Sequence, residues 1–129
     1  MGLTEKLKLL EENIRILKDI KKNITLEDIK SNKRYEWEIR YGLLESIQIV
    51  IDIACKVASE YNLGNPKTYR ACIELLQIDY TLAQKIAGMV GLRNLLIHEY
   101  IKIDEEKLYQ FLENLDNFVE FAMQIEKYL

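Results

Sequence analysis

Residues 86–100 read IAGMVGLRNLLIHEY, and this stretch decides the fold. Between residues 86 and 97 only Arg93 and Asn94 are polar, and apolar residues point to every side of the helix that the pattern predicts. A helix that is apolar all round is typical of the buried centre of a bundle. Burial of an arginine is costly unless it is paired or reaches a water-filled cleft. We therefore expect Arg93 to have a partner or to line a cleft.

Helical periodicity continues towards the N-terminus. Apolar residues recur every three or four positions over residues 3–17, and Thr25 with Asp28 three residues later is typical of a helix start. A second long helix is predicted from Arg34 to Tyr61. Gly64 suits the left-handed position that follows a helix, and Pro66 cannot continue one. These two residues mark the one clear break in the chain.

The pattern after this break is also helical. A short helix is predicted over residues 69–77, and Asp79 or Thr81 caps a fourth helix over residues 82–97. Asp104 then starts a final helix whose apolar stripe reaches Leu129. The sequence therefore predicts an all-α bundle of four long helices plus a short one, in a single domain spanning residues 1–129.

Composition excludes several classes of protein. One Pro and five Gly are too few for the turns of an all-β fold, and a hydrophobic fraction of 49% excludes intrinsic disorder. No apolar run approaches the roughly 18–20 residues of a membrane span, and the first residues do not resemble a signal peptide. Two Cys then suggest a reducing, cytoplasmic setting. Without a Cys-x2-Cys pair or a second His, Cys55 and Cys72 are expected to be small buried residues, with no metal and no cofactor.

The formal net charge of −3 is unevenly distributed. Residues 99–129 hold three basic and eight acidic side chains, whereas residues 63–98 hold four basic and two acidic ones. The charge balance therefore leaves nucleic-acid binding by the middle of the chain open. Lys67, Arg70 and Lys85 either contact RNA phosphates or are ordinary solvated charges.

The polar residues near position 93 are suited to phosphate chemistry. Arginine offers a planar fork for phosphate oxygens, and histidine exchanges a proton near neutral pH. Asn94 and His98 are four residues apart and share a helix face. Arg93 and His98 are five apart, about 140° around an ideal helix, so one cleft needs the long arginine side chain or a helix that ends near residue 97. Asp52 either faces this cleft and holds Arg93 or is an exposed helix residue.

The segment RNLLIHEY resembles the Arg-x4–6-His motif of HEPN domains, in the form Arg-Asn-x3-His-x-Tyr of the HepT toxins. The order of the predicted elements resembles that family over roughly residues 3–125. The resemblance implies a homodimeric, metal-independent endoribonuclease toxin. Its partner would be a minimal nucleotidyltransferase antitoxin that transfers AMP to the motif tyrosine. By this resemblance Arg93 and His98 are catalytic, Asn94 supports them, and Tyr100 is the AMPylated residue.

The single His of the chain bears on this expectation. RNA cleavage by the 2′-hydroxyl uses both a base and an acid, so two chains that meet at the motif would supply two imidazoles. Two alternatives stay open: a non-catalytic partner of a nucleotidyltransferase with Tyr100 as its substrate, and a nucleotide-binding helical dimer. Gly88 and Gly91 spell GxxG within a helix, where close helix packing is expected rather than the RNA clamp of a KH domain.

Overall fold

The computed structural model describes residues 1–98 and 103–129. These residues form helices without any strand, and none of the helices is long and apolar enough to cross a membrane. The prediction of an all-α fold is therefore confirmed. In chain order the helices are α1 (Leu3–Asn23), α2 (Leu26–Ser31), α3 (Lys33–Glu60), α4 (Tyr69–Glu74), α5 (Tyr80–Ile97), α6 (Glu105–Glu113) and α7 (Asp116–Ile125), followed by a 3₁₀ turn (Glu126–Tyr128).

The central helix of the bundle is α3, the longest one. It packs against α1, α2, α4, α5 and α6, and its consecutive residues Ile49, Val50 and Ile51 are all buried. Three successive buried residues point about 100° apart on a helix, so α3 is enclosed on several sides. The site is consequently built against α3.

The prediction that the motif helix is buried on every side is wrong. Leu92 and Leu96 of α5 pack into the core, but Gly88, Gly91 and Leu95 lie on an exposed face. Two of these three residues are glycines, which have no side chain to bury. Counting them as apolar therefore predicted more burial of α5 than the structure has.

The predicted helix caps are confirmed, and one predicted helix is divided. Thr25 and Asp28 form a reciprocal capping box, which opens the separate short helix α2, and Asp79 caps α5. The final helix predicted from Asp104 ends at Glu113, and α7 starts at Asp116. The buried residues Leu112, Leu115 and Phe118 keep helical spacing across this turn. The turn therefore leaves no trace in the hydrophobic pattern.

The break after α3 also differs in detail from the prediction. Asn62, with φ of 51°, takes the left-handed position assigned to Gly64, whose φ is 157°. Asparagine tolerates this conformation better than most residues with a side chain. The loop then returns the chain to α4, which lies against α3 and α5.

The two cysteines correct a further prediction. Cys72 is buried as expected, but Cys55 is half-buried, and the two sulfurs form a disulfide. The Cα atoms are 4.9 Å apart, which is within the usual range for a disulfide. The bridge ties α4 to α3 where both helices approach α5. Sequence spacing could not reveal it, because the 17-residue separation crosses the loop between the two helices.

Candidate functional site: an arginine cleft beside α5

Arg93 is held by residues from three helices. Its Nε donates a hydrogen bond to Oε1 of Gln48 on α3 at 2.9 Å, and its Nη1 donates to Oδ1 of Asn94 at 3.1 Å. The guanidinium carbon lies 5.0 Å from the ring centroid of Tyr69 on α4, within the range of a cation–π contact. The expectation that Arg93 needs partners is confirmed, and Asn94 is one of them.

Asp52 reaches Arg93 only through Gln48. The Nε2 of Gln48 donates to Oδ1 of Asp52 at 3.0 Å, while the other end of the same amide accepts from Arg93. Asp52 itself is exposed. Of the two open interpretations, the exposed helix residue is therefore the better description, with an indirect link to the guanidinium.

A cleft of about 610 Å³ opens beside Arg93. We call it the arginine cleft, and its walls come from α3, α4, α5 and the loop before α4. Within the described chain no carboxylate lines it, although Glu74 lies 3.4 Å from Arg70 Nε at the edge. Its lining includes Cys55, Lys67, Tyr69, Arg70, Arg93 and Asn94. Three cations and one aromatic ring therefore surround a space in the size range of a small-ligand pocket.

Two of the three basic residues left open by the sequence belong to this cleft. Lys67 and Arg70 line it together with Arg93, whereas Lys85 is exposed elsewhere on α5 and is not among the lining residues. Lys85 precedes Arg93 by eight residues, about 12 Å along a helix axis. The structure thus places Lys67 and Arg70 in the arginine cleft and Lys85 outside it.

His98 lies at the C-terminal end of α5 and is exposed. The helix ends at Ile97, and an end near this residue was one of the two conditions under which Arg93 and His98 could share a cleft. The His98 backbone N–H donates a hydrogen bond to the Leu95 carbonyl at 3.3 Å. His98 is nevertheless not among the residues that line the arginine cleft. The described residues of one chain therefore do not bring the two predicted catalytic residues into this cleft together.

A stripe of small and apolar residues runs along the exposed face of α5 towards His98, which follows the last residue of the helix. Gly88, Gly91 and Leu95 follow one another at spacings of three and four, and we call this set the glycine stripe. A Cβ atom placed on either glycine would meet nothing within 4 Å, and Leu95 is 38% exposed. The described residues therefore do not make the expected close packing at the two glycines.

The remaining predicted residue, Tyr100, lies outside the described residues. Sequence reasoning missed Gln48 and Tyr69. The only available signal for Gln48 was its polarity within the apolar stretch of residues 47–55. Tyr69 carried no signal at all. Among the residues that the structure describes, no three His, Cys, Asp or Glu side chains are grouped as a metal site would require.

The fold defines the class of protein. It matches the tri-AMPylated Shewanella oneidensis HEPN toxin, solved in complex with an MNT antitoxin, at a TM-score of 0.87 and 22% identity, covering 98% of this chain and 99% of that one. A toxin–antitoxin structure with AMP-PNP gives 0.88 at 21% identity, covering 97% of each chain. At these identities the likeness establishes the fold, an all-α fold of the HEPN type.

The family follows from sequence. The family model described as Ribonuclease HepT-like matches residues 10–125. The tRNA nuclease HepT of Aphanizomenon flos-aquae (strain 2012/KM1/D3) is 35% identical over 123 residues, covering 89% of this chain and 83% of that protein. The chain therefore belongs to the HepT-like ribonuclease family, and the family resemblance stated from the sequence is confirmed.

Proposed function

We propose that this chain is the toxin of a toxin–antitoxin pair and acts as a metal-independent endoribonuclease. The observation that carries the proposal is the state of Arg93. Of the five N–H donors of a guanidinium, the hydrogen bonds to Gln48 and Asn94 use two, which leaves three for an anion. A half-buried, anchored arginine in a cationic cleft suits the non-bridging oxygens of a phosphodiester. The relative named tRNA nuclease HepT supports RNA as the source of that phosphate.

The chemistry follows from the available groups. A neutral His98 imidazole takes the proton of a ribose 2′-hydroxyl, whose oxygen attacks the adjacent phosphorus. A protonated His98 imidazole gives a proton to the departing 5′-oxygen. The products are a 2′,3′-cyclic phosphate and a 5′-hydroxyl end, and no further reactant is consumed. Arg93 stabilises the charge that develops on the phosphorane.

The active unit of this proposal is a homodimer. One chain has a single His, and the reaction as written uses two imidazoles. The glycine stripe supports the assignment, because a helix backbone without side chains allows a second copy to approach closely beside His98. Two copies joined along this stripe would bring two His98 side chains to one cleft.

The proposed antitoxin is a minimal nucleotidyltransferase that silences the toxin by adding AMP to Tyr100. Support comes from the Shewanella oneidensis HEPN toxin, which is described as tri-AMPylated and in complex with an MNT antitoxin. Intact-mass measurement after co-expression with the nucleotidyltransferase should give added mass in units of AMP. Tyr100→Phe should abolish that addition, and AMP retained on the Tyr100→Phe chain would contradict the assignment.

Two single substitutions test the ribonuclease directly. Arg93→Ala and His98→Ala should each lower the rate of RNA cleavage by about 10²–10⁴-fold, with helix content unchanged by circular dichroism. Arg15→Ala, an exposed arginine on α1, is the matched control and should keep full activity. Unchanged cleavage by either of the first two variants would defeat the proposed mechanism.

A further inference from the structure

The arginine cleft extends beyond the one guanidinium that the proposed reaction uses. Lys67 and Arg70 line it from the loop before α4 and from α4, on the side opposite α5. Arg70 is held through Nε by Glu74 at 3.4 Å, so its guanidinium keeps donors that face away from that carboxylate. A single phosphate on Arg93 would leave these two cations unused. The cleft therefore has room and charge for more than one phosphate group.

Tyr69 gives the same cleft an aromatic surface. Its ring contacts the Arg93 guanidinium on one side, yet the residue remains 44% exposed. Cation–π contacts of this kind restrict an arginine without using its N–H donors. The exposed part of the ring offers a surface on which a nucleobase can stack, as bases of single-stranded RNA do on tyrosine. Tyr69 therefore has two roles to perform, one towards Arg93 and one towards a base.

The cleft is held in shape before any ligand arrives. The disulfide between Cys55 and Cys72 forms part of its wall and ties α4 to α3 one turn after Tyr69. Thr68 fixes the start of α4, since its Oγ1 accepts a hydrogen bond from the Ala71 N–H at 3.0 Å. The position of Tyr69 against Arg93 is consequently set by the fold, which lowers the ordering cost of binding.

From this arrangement we propose that the arginine cleft is a subsite for the RNA nucleotide that flanks the cleaved bond. Tyr69 stacks on its base and positions Arg93, while Lys67 and Arg70 bind the neighbouring phosphate. The subsite rests on the proposed ribonuclease function for its substrate. It adds Tyr69 as a positioning residue and assigns single-stranded RNA as the form of substrate, because a stacked base cannot also be paired inside a duplex.

Binding is measured separately from cleavage so that the two proposals can fail independently. A fluorescein-labelled single-stranded oligoribonucleotide is titrated with the otherwise full-length His98→Ala protein, and anisotropy is recorded at several salt concentrations. Tyr69→Ala in this background should weaken binding about tenfold, whereas Tyr69→Phe, which keeps the ring, should stay within about twofold. The double variant Lys67→Ala/Arg70→Ala should reduce the slope of log K against log salt by about 1.4.

Matched controls come from the same residue types outside the cleft. Tyr80→Ala at the start of α5 and Lys8→Ala on α1 are both exposed substitutions and should leave affinity and salt slope unchanged. In protein that keeps His98, Tyr69→Ala should also lower kcat, because Arg93 loses its ring contact. Tyr69→Phe keeps the ring and should therefore keep the kcat of the wild type.

The outcomes are distinguishable. If the Tyr69→Ala and double variants bind RNA as the two controls do, the subsite is wrong even when Arg93 and His98 prove essential for cleavage. If the affinity and salt-slope changes appear but the wild type cuts no RNA, the subsite stands and the ribonuclease proposal fails. Equal or tighter binding of the same sequence as a duplex would overturn the assignment of single-stranded substrate.

Discussion

The two sides of α5 are built in opposite ways. On the side of Arg93, side chains from α3, α4 and α5 itself hold the guanidinium by two hydrogen bonds and a ring contact, and a disulfide closes the wall. On the opposite side of α5, a Cβ atom placed on Gly88 or Gly91 would meet no described residue within 4 Å. Residues of the chain therefore pack around Arg93, whereas the described residues leave the two glycines of α5 uncovered.

In the proposed dimer, this difference would allow a motif of eight residues to serve a shared site. Arg93 lies within α5, whereas His98 follows its last residue, Ile97, and is not among the residues that line the arginine cleft. Under the proposed function, the chain supplies the phosphate-binding side and a second copy completes the proton-transfer side. Under this account the anchored side sets substrate binding and the glycine stripe sets assembly.

Loss of the disulfide should have the largest effect on stability, and it should affect only the side of Arg93. Cys72→Ser removes a bridge with a 17-residue separation, which should lower the free energy of unfolding by about 3 kcal/mol in denaturant titration at fixed protein concentration. Wild-type protein treated with dithiothreitol should match the variant. The dimer dissociation constant should not change, because the bridge lies away from the glycine stripe.

The bridge itself can be checked by alkylation. Unreduced wild type under denaturing conditions should take up no iodoacetamide, and two labelled thiols per chain would show that the bridge does not form in solution. Equal unfolding free energies for Cys72→Ser and unreduced wild type would contradict a role of the bridge in holding α4.

Substitution on the glycine stripe should separate folding from activity. Gly91→Leu adds a side chain where a Cβ atom has open space, and replacing a helical glycine should raise the free energy of unfolding of the monomer by about 0.8 kcal/mol, measured at a protein concentration too low for dimers. The same side chain would hold two copies apart, so RNA cleavage should fall about tenfold and sedimentation should show a smaller particle.

Gly42 on α3 is the matched contrast to Gly91. A Cβ atom there would lie 2.8 Å from Cδ2 of Leu17, so Gly42→Ala should destabilise the fold itself. A Gly91→Leu protein that is more stable, dimeric and fully active would break the proposed division between the two sides of α5.

The smallest effect is expected from an ion pair remote from both sides. Lys18 Nζ lies 2.7 Å from Oδ1 of Asp116 between α1 and α7. This hydrogen bond, together with the charges of Lys18 and Lys21, lowers the pKa of Asp116 below its usual 3.8. Because the folded pKa is the lower one, the pair stabilises the fold above the unfolded pKa, and this contribution is lost as the pH falls through the folded value.

Asp116→Asn should therefore lower Tm slightly at pH 7 and leave RNA cleavage unchanged. Both residues are exposed, so the effect is small. Thermal unfolding from pH 7 down to pH 2 should show the two proteins converging at the acidic end. A constant Tm difference over that whole range would contradict the assignment to this carboxylate.

Sequence patterns predicted local features of the fold better than its long-range contacts. The spacing of apolar residues located α1, α3 and α5, and the Thr25 and Asp79 caps followed from side chains within three residues. The turn at residues 114–115 was not predicted, because buried residues keep helical spacing across it. Helices and caps depend on residues that are close in sequence, so the sequence pattern is enough to predict them.

The site was predictable only in part for the same reason. The motif identified Arg93, and its polarity within apolar surroundings implied partners. Gln48 precedes Arg93 by 45 residues and Tyr69 precedes it by 24, so only the packing of α3, α4 and α5 brings them together. The open face of α5 was hidden because glycine counts as compatible with a buried helix whether or not another helix covers it.

The most direct test of the account mixes wild-type and His98→Ala chains under conditions that allow subunit exchange. If each cleft needs an imidazole from both copies, RNA cleavage should follow the square of the wild-type fraction, about a quarter of full activity at equal amounts. A linear decline to about half would show that each chain works with its own His98 alone. That result, or full activity from a wild-type monomer, would contradict the proposal that the two sides of α5 are completed by two chains.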